Sequence, residues 1–183
     1  ITSNRRRREG DWIMIETIEF NFESYPKYNA MGNASQFAIP FALHVCKGQG
    51  YDIGYCKEEW KYPGAQGIDE ADNNEWHAMN LPKKGVDYIY SSHCLEHLPN
   101  WVNALDYWID HLAIGGTLFL YLPHKDQSYW LPWNNRKHTH ILDQEMIEKY
   151  LWDRDDMDNI FVSQRDLNWS FMVMAEKCTN EHT

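Results

Sequence analysis

Residues 86–98, VDYIYSSHCLEHL, and residues 116–124, GTLFLYLPH, bracket a segment with helical patterning, and this order restricts the fold more than any other feature of the chain. Val86 to Tyr90 is a near-continuous apolar run ending in Ser91, Ser92 and His93. That is the pattern of a strand buried on both faces, with its carboxyl end turned toward a ligand. Between the runs, Asn100 is placed to cap a helix in which Trp101, Val102, Leu105, Trp108, Ile109 and Leu112 recur at helical spacing, and Gly115 to close it. Strand, helix and strand in that order predict a right-handed parallel crossover.

Composition narrows the partners. With 17 Lys and Arg against 27 Asp and Glu, the net charge is −10, which disfavours nucleic acid and weakly favours a small or cationic ligand. Cys46, Cys56, Cys94 and Cys178 are scattered without a Cys-x-x-Cys pair, so neither a disulfide framework nor a zinc ribbon is expected and a reducing cytoplasm is the simplest setting. No apolar run approaches membrane-spanning length, and none follows Arg5 to Arg8 as a signal peptide requires. Residues 1–13 read as a disordered leader or cloning remnant with Met14 as the natural start, and 14–183 as one domain.

Along the chain, Phe37, Ile39, Phe41, Ala42 and Val45 suggest a helix over Asn33 to Val45, with Pro40 kinking it or marking its first turn. GYDIG at 50–54 and AQGIDE at 65–70 read as two short strands that each end in an acid. Trp76 to Leu81 supplies a third short strand closed by Pro82, Val86 to Ser91 the fourth, and Gly116 to Leu122 the fifth. The aromatic, polar segment from Pro123 to His140 is too long for a plain connector and suits a substrate cover. Asp143 caps a last helix, with Leu142 and Ile147 placed as a hydrophobic staple and Met146, Tyr150 and Leu151 on its inner face. Ile160 to Leu167 and Trp169 to Lys177 read as an antiparallel pair joined near Asn168.

Taken in order, DIG, the YPGAQGID stretch, YIYSSHCLEHL, GGTLFLYLP, HTHILDQEMIEKYL and the final strand pair resemble the class I S-adenosylmethionine-dependent methyltransferases. The resemblance covers residues 33–177 and is closest to a type-11-like subgroup with a shortened first motif. It implies an α/β fold: a Rossmann-like three-layer α/β/α sandwich around a mostly parallel seven-stranded sheet with an antiparallel final strand. It also implies S-adenosylmethionine as cofactor, S-adenosylhomocysteine as product, and a small-molecule or glycan-type acceptor.

The resemblance carries site roles onto individual residues. Asp52 is suited to the cationic methionyl end of the cofactor, and Gly54, flanked by Ile53 and Tyr55, to close backbone approach. Asp69, with Glu70 as a substitute, is suited to the ribose hydroxyls. Asn80 is placed to pair with the adenine edge while Leu81 packs on the ring. Ser91, Ser92 and His93 end the fourth strand beside the expected methyl group, and His93 or His124 is the candidate base. His138 and His140 form a His-x-His pair near the substrate mouth, and no bound metal is expected there.

One departure stands out. Gly54 is followed by Tyr55, Cys56, Lys57 and Glu58 where methyltransferases carry further glycines, and Asp69 lies only 17 positions after Asp52, too few for a full intervening helix. Two other readings therefore stay open. One is a non-catalytic binding protein of the same fold. The other is a zinc metallopeptidase, since His93-Cys94-Leu95-Glu96-His97 matches the inverted H-x-x-E-H pattern, although Pro99 follows the motif where a sustained helix is needed. Glu96 and His97 also read as a helix-capping or core-satisfying pair.

Overall fold

Side chains along β5 (Val86–Ser92) and β6 (Leu112–Pro123) alternate between two chemically different layers, and this alternation positions the rest of the molecule. Tyr88, Tyr90, Phe119 and Tyr121 point to one face and pack with Tyr62 against Ala34, Ala38 and Ala42. The two latter alanines belong to α1 (Ser35–Val45). Small helix residues against large aromatic sheet residues bring the helix close without voids. Val86, Ile89, Leu118, Leu120 and Leu122 point to the other face, where they meet Leu105, Trp108 and Ile109 of α2 (Trp101–His111) and Ile147 and Leu151 of α3 (Gln144–Trp152). Helices thus cover both faces, the three-layer arrangement that the sequence implies.

The computed structural model describes residues 16–27, 33–70 and 75–179; Arg5 to Arg8 and Met14 lie outside them. Its main sheet has six strands among the described residues, in the order β4-β3-β5-β6-β8-β7. Here β3 is Gly50–Ile53, β4 Gln66–Ile68, β7 Met157–Val162 and β8 Ser170–Lys177. Neighbours from β4 to β6 run parallel, and only β8 runs antiparallel to its neighbours, β6 and β7. The chain steps from β3 outward to β4, then returns to place β5 on the other side of β3. The strand order therefore reverses between β3 and β5, and in open α/β sheets such a reversal opens a crevice at the carboxyl ends of the strands.

The strand expected at Trp76 to Leu81 does not form, which leaves six strands rather than seven. Its place is taken by a tight turn in which His77 and Asn80 exchange backbone hydrogen bonds. Side chains of α2 satisfy two more of the segment's backbone groups: Trp108 Nε1 donates to the Ala78 carbonyl at 2.7 Å, and the Leu81 N–H donates to the Tyr107 hydroxyl at 2.9 Å. A backbone satisfied this way has no need of a neighbouring strand.

The Asn100 and Asp143 caps form as the sequence predicts, each side chain accepting from the backbone N–H three residues on. Leu142 and Ile147 are both buried, whereas Met146 is turned to solvent. Pro40 lies inside α1, not in its first turn; its ring sits on an exposed position and removes only the N–H that would have reached Gln36. Gly115 closes no helix, because α2 ends at His111 and the chain enters β6 directly, with an irregular register before Thr117. Between β3 and β4 there is a single 3-10 turn, Glu58–Trp60, as the short spacing requires.

The sequence reading did not anticipate a two-stranded hairpin of β1 (Thr17–Phe20) and β2 (Glu23–Pro26). It packs over the 123–140 segment: Tyr25 Oη lies 2.7 Å from Ser128 Oγ, and the Phe20 and Tyr129 rings meet edge to face at 5.2 Å. No helix among the described residues is long and apolar enough to cross a membrane.

Candidate functional site

At the reversal point, a cavity of about 1100 Å³ opens above the ends of β3, β4 and β5. Of the expected residues, Asp52, Ile53, Gly54, Tyr55, Asp69, Glu70, Ser92 and His93 line it. They come together because β3, β4 and β5 are parallel neighbours in register, so their carboxyl ends share one rim.

Asp52 closes the floor. Its carboxyl is almost wholly buried and accepts the Tyr62 N–H at 2.6 Å. Burial pushes its pKa up to about 7, against the opposing pull of that hydrogen bond and the Lys61 charge. Gly54 follows in a left-handed conformation, φ +82°, and a Cβ there would meet Cys94 Sγ at 2.5 Å. Any other residue at this turn would be strained and would clash with the segment after β5. The glycine-poor loop that follows is fastened to β4 by Asp69, whose Oδ2 accepts the Cys56 N–H at 3.0 Å.

Four expectations are corrected. Asn80 and Leu81 do not line the cavity. The Asn80 amide donates to the Glu75 carbonyl, Leu81 is buried in the core, and Ala78 takes the wall position. Ser91 also lies off the cavity, buried, with its hydroxyl donating to the Ile53 carbonyl at 2.9 Å and so tying β5 to β3. His124 sits in a separate small recess beside Gln127 and Leu131, where its Nδ1 accepts the Asp126 N–H.

The wall opposite Asp52 is built from the HCLEH segment and the 123–140 segment. His93, at φ +49°, places Nε2 2.9 Å from Ser170 Oγ, whose own proton goes to the Asn168 carbonyl. Burial and the neighbouring His138 and His97 push the His93 pKa down to about 3, so the ring is neutral at physiological pH. Residues Leu95–His97 form one 3-10 turn, not a sustained helix. His93 and His97 thus do not share a helical face, and the peptidase reading loses the scaffold it needs. Tyr129, Trp130 and His138 come from the 123–140 segment, with Trp130 stacked on His138 at 5.2 Å, while Trp133 is exposed and His140 bonds to the Pro99 carbonyl.

The sequence reading missed Phe20, Trp60, Ala78 and Lys137 on the wall, and the convergence of His138 with Glu96 and His97. The signals for that convergence, H-x-x-E-H and His-x-His, are legible separately. Only the fold brings them together.

Comparison with known proteins places the fold. A search of curated protein sequences finds no match. Among solved structures, the chain is similar to one from the complex between the Haloferax volcanii Trm112 methyltransferase activator and its methyltransferase (TM-score 0.60, 10% identity, covering 83% of this chain and 92% of that one). It is also similar to a SAM-dependent methyltransferase from Archaeoglobus fulgidus (TM-score 0.58, 15% identity, 82% and 98%). A third is the plantazolicin methyltransferase BpumL in complex with a monoazolic desmethylPZN analog and SAH (TM-score 0.53, 15% identity, 83% and 85%). At these identities the likeness is one of fold. The family model described as a methyltransferase domain matches residues 32–171. With well over half of its length matched, the chain belongs to the methyltransferase-domain family.

Proposed function

We propose that this protein transfers a methyl group from S-adenosylmethionine to a small-molecule or glycan-type acceptor. The observation that carries the reading is the position of Asp52, Gly54 and Asp69 on one wall of a single cavity at the strand-order reversal. The residues fit the cofactor: a buried carboxyl for its cationic end, a left-handed glycine where the backbone must come close, and an acid at the end of β4 for the ribose. At about 1100 Å³ the cavity exceeds what one drug-sized ligand usually fills, which leaves room for an acceptor beside the cofactor.

The cofactor supplies a methyl group on a sulfonium, a good leaving group, so the chain's task is alignment and exclusion of water. Asp52 neutralises positive charge at the floor. Asp69 orients the ribose while holding the 54–57 turn in place. Trp130, Tyr129 and Phe20 narrow the mouth. His93 faces the acceptor side as a neutral ring with Nε2 committed to Ser170, which makes it an orienting group and, at its depressed pKa, a weak base. The four free cysteines fit a reducing cytoplasmic setting, and the −10 charge argues against a nucleic-acid acceptor.

The test is release of S-adenosylhomocysteine in the presence of a panel of hydroxylated small molecules. Asp69→Asn keeps an acceptor for the Cys56 N–H but loses the charge, at a cost of roughly 1.5–3 kcal/mol per lost charged hydrogen bond. The expected result is a KM for S-adenosylmethionine raised about tenfold or more, with kcat within about twofold. An unchanged KM would remove Asp69 from the cofactor site.

A further inference from the structure

Glu96 is fully buried, and neither carboxylate oxygen has a hydrogen-bond partner among the described residues. Around it stand three imidazoles. His97 Nε2 and His138 Nε2 lie 3.8 Å from Glu96 Oε1, and His93 Nδ1 lies 3.9 Å away. These separations are too long for hydrogen bonds.

The His97 tautomer sharpens the problem. His97 Nδ1 lies 2.9 Å from the Lys137 carbonyl and must donate to it, so Nε2 presents a lone pair to Glu96. The Glu96 carboxyl and the Nε2 lone pair of His97 therefore face one another in a water-poor pocket without a hydrogen bond between them. A cation resolves this arrangement. The carbonyl holding the far nitrogen of His97 is the kind of outer contact that metal-ligating histidines make.

We propose that Glu96, His97 and His138 form a binding site for a divalent transition metal, with zinc the best fit. Their ligand atoms all lie within 4.8 Å of one another. A tetrahedral zinc with bonds of about 2.0–2.1 Å spaces its ligands roughly 3.3 Å apart, so closure shortens each Glu96–histidine distance by about half an ångström and no ligand–ligand distance by more than about 1.5 Å. Two histidines and one carboxylate form a zinc ligand set that leaves a fourth position open. Since His97 and His138 both line the cavity, that position opens toward it. The ion would also fasten the 123–140 segment, through His138, to the turn after β5. Soft thiolate ligands are absent from the set and magnesium prefers an oxygen shell, so the selectivity is for zinc-like ions.

The experiment is zinc titration of the full, chelator-stripped chain, read by calorimetry and elemental analysis after dialysis, with cobalt(II) as a spectroscopic substitute. We expect one zinc per chain, a rise in unfolding temperature on binding, and cobalt spectra lacking the near-ultraviolet sulfur-to-metal band that any of the four cysteines would add. His138→Ala and Glu96→Gln should each weaken zinc binding at least a hundredfold, while Cys56→Ser leaves it unchanged. Three outcomes overturn the site: no retained zinc in the wild-type chain, a thiolate band, or equal affinity in folded His138→Ala. The titration needs no methyl donor. Its failure therefore leaves the methyltransferase reading intact, and cofactor binding is measured separately on the zinc-stripped chain.

Discussion

Truncation of Trp108 to alanine is expected to cost about 4–6 kcal/mol of stability. The indole is completely buried in the core between α2 and the sheet, and removal of so large a side chain costs roughly 3–5 kcal/mol through lost burial and the cavity left behind. The Ala78 carbonyl, which now accepts from Nε1 at 2.7 Å, would lose its partner at about 1 kcal/mol more. Domains of this size are commonly stable by about 5–15 kcal/mol, so the variant would be close to unfolded. Trp108→Phe keeps most of the volume and should cost much less, but it releases the turn that carries Ala78 on the cavity wall. Urea denaturation of the three proteins checks the order. A loss below about 1 kcal/mol in Trp108→Ala would contradict the packing described here.

The second large effect concerns Asp52 and has opposite signs for binding and stability. Burial raises its carboxyl pKa in the folded protein to about 7, above its ordinary value of 3.8. A raised carboxyl pKa favours the protonated form, so its contribution to stability is complete below pH 3.8 and is lost as pH rises through 7. Asp52→Asn should therefore match the wild type near pH 4 and exceed it at pH 8, by an amount on the order of 1 kcal/mol or more. Binding runs the other way. A cationic ligand selects the carboxylate, so affinity should be level above about pH 8 and fall toward tenfold per unit below pH 7. Asp52→Asn should bind about ten- to hundredfold more weakly at pH 8, by analogy with other charged hydrogen bonds, and show no pH dependence between 6 and 8. Calorimetry across that range checks the claim, and a pH-dependent Asp52→Asn would assign the titration to another group.

Much of the fold is legible in the sequence where one physical signal dominates. The β5, α2 and β6 segments are set by burial periodicity, and Asn100 and Asp143 act through local side-chain to backbone bonds that the sequence alone specifies. The failures have tertiary causes. Residues 76–81 look like a strand until Tyr107 and Trp108, about 30 residues on, bond to their backbone. The β1–β2 hairpin escapes notice because its turn uses Asn21 and Phe22, at φ +50° and +66°, and phenylalanine is no signal for such a turn. In the site, Asp52, Gly54 and Asp69 are legible because strand ends converge in a parallel sheet. Asn80, Leu81 and Ser91 are not, because each is bonded or buried within the scaffold. The Glu96 cluster depends on a 3-10 turn meeting a segment about 40 residues away, which no local pattern encodes.

The central claim is that the cavity at the β3–β5 reversal is a methyl-donor site. Calorimetric titration with S-adenosylhomocysteine tests it most directly, since binding requires no acceptor. The account predicts one site per chain, weakened tenfold or more by Asp69→Asn, with roughly 2.7 kcal/mol of added stability at a hundred times the dissociation constant. No heat and no stabilisation at millimolar ligand would contradict it and leave a methyltransferase fold used for something other than methyl transfer.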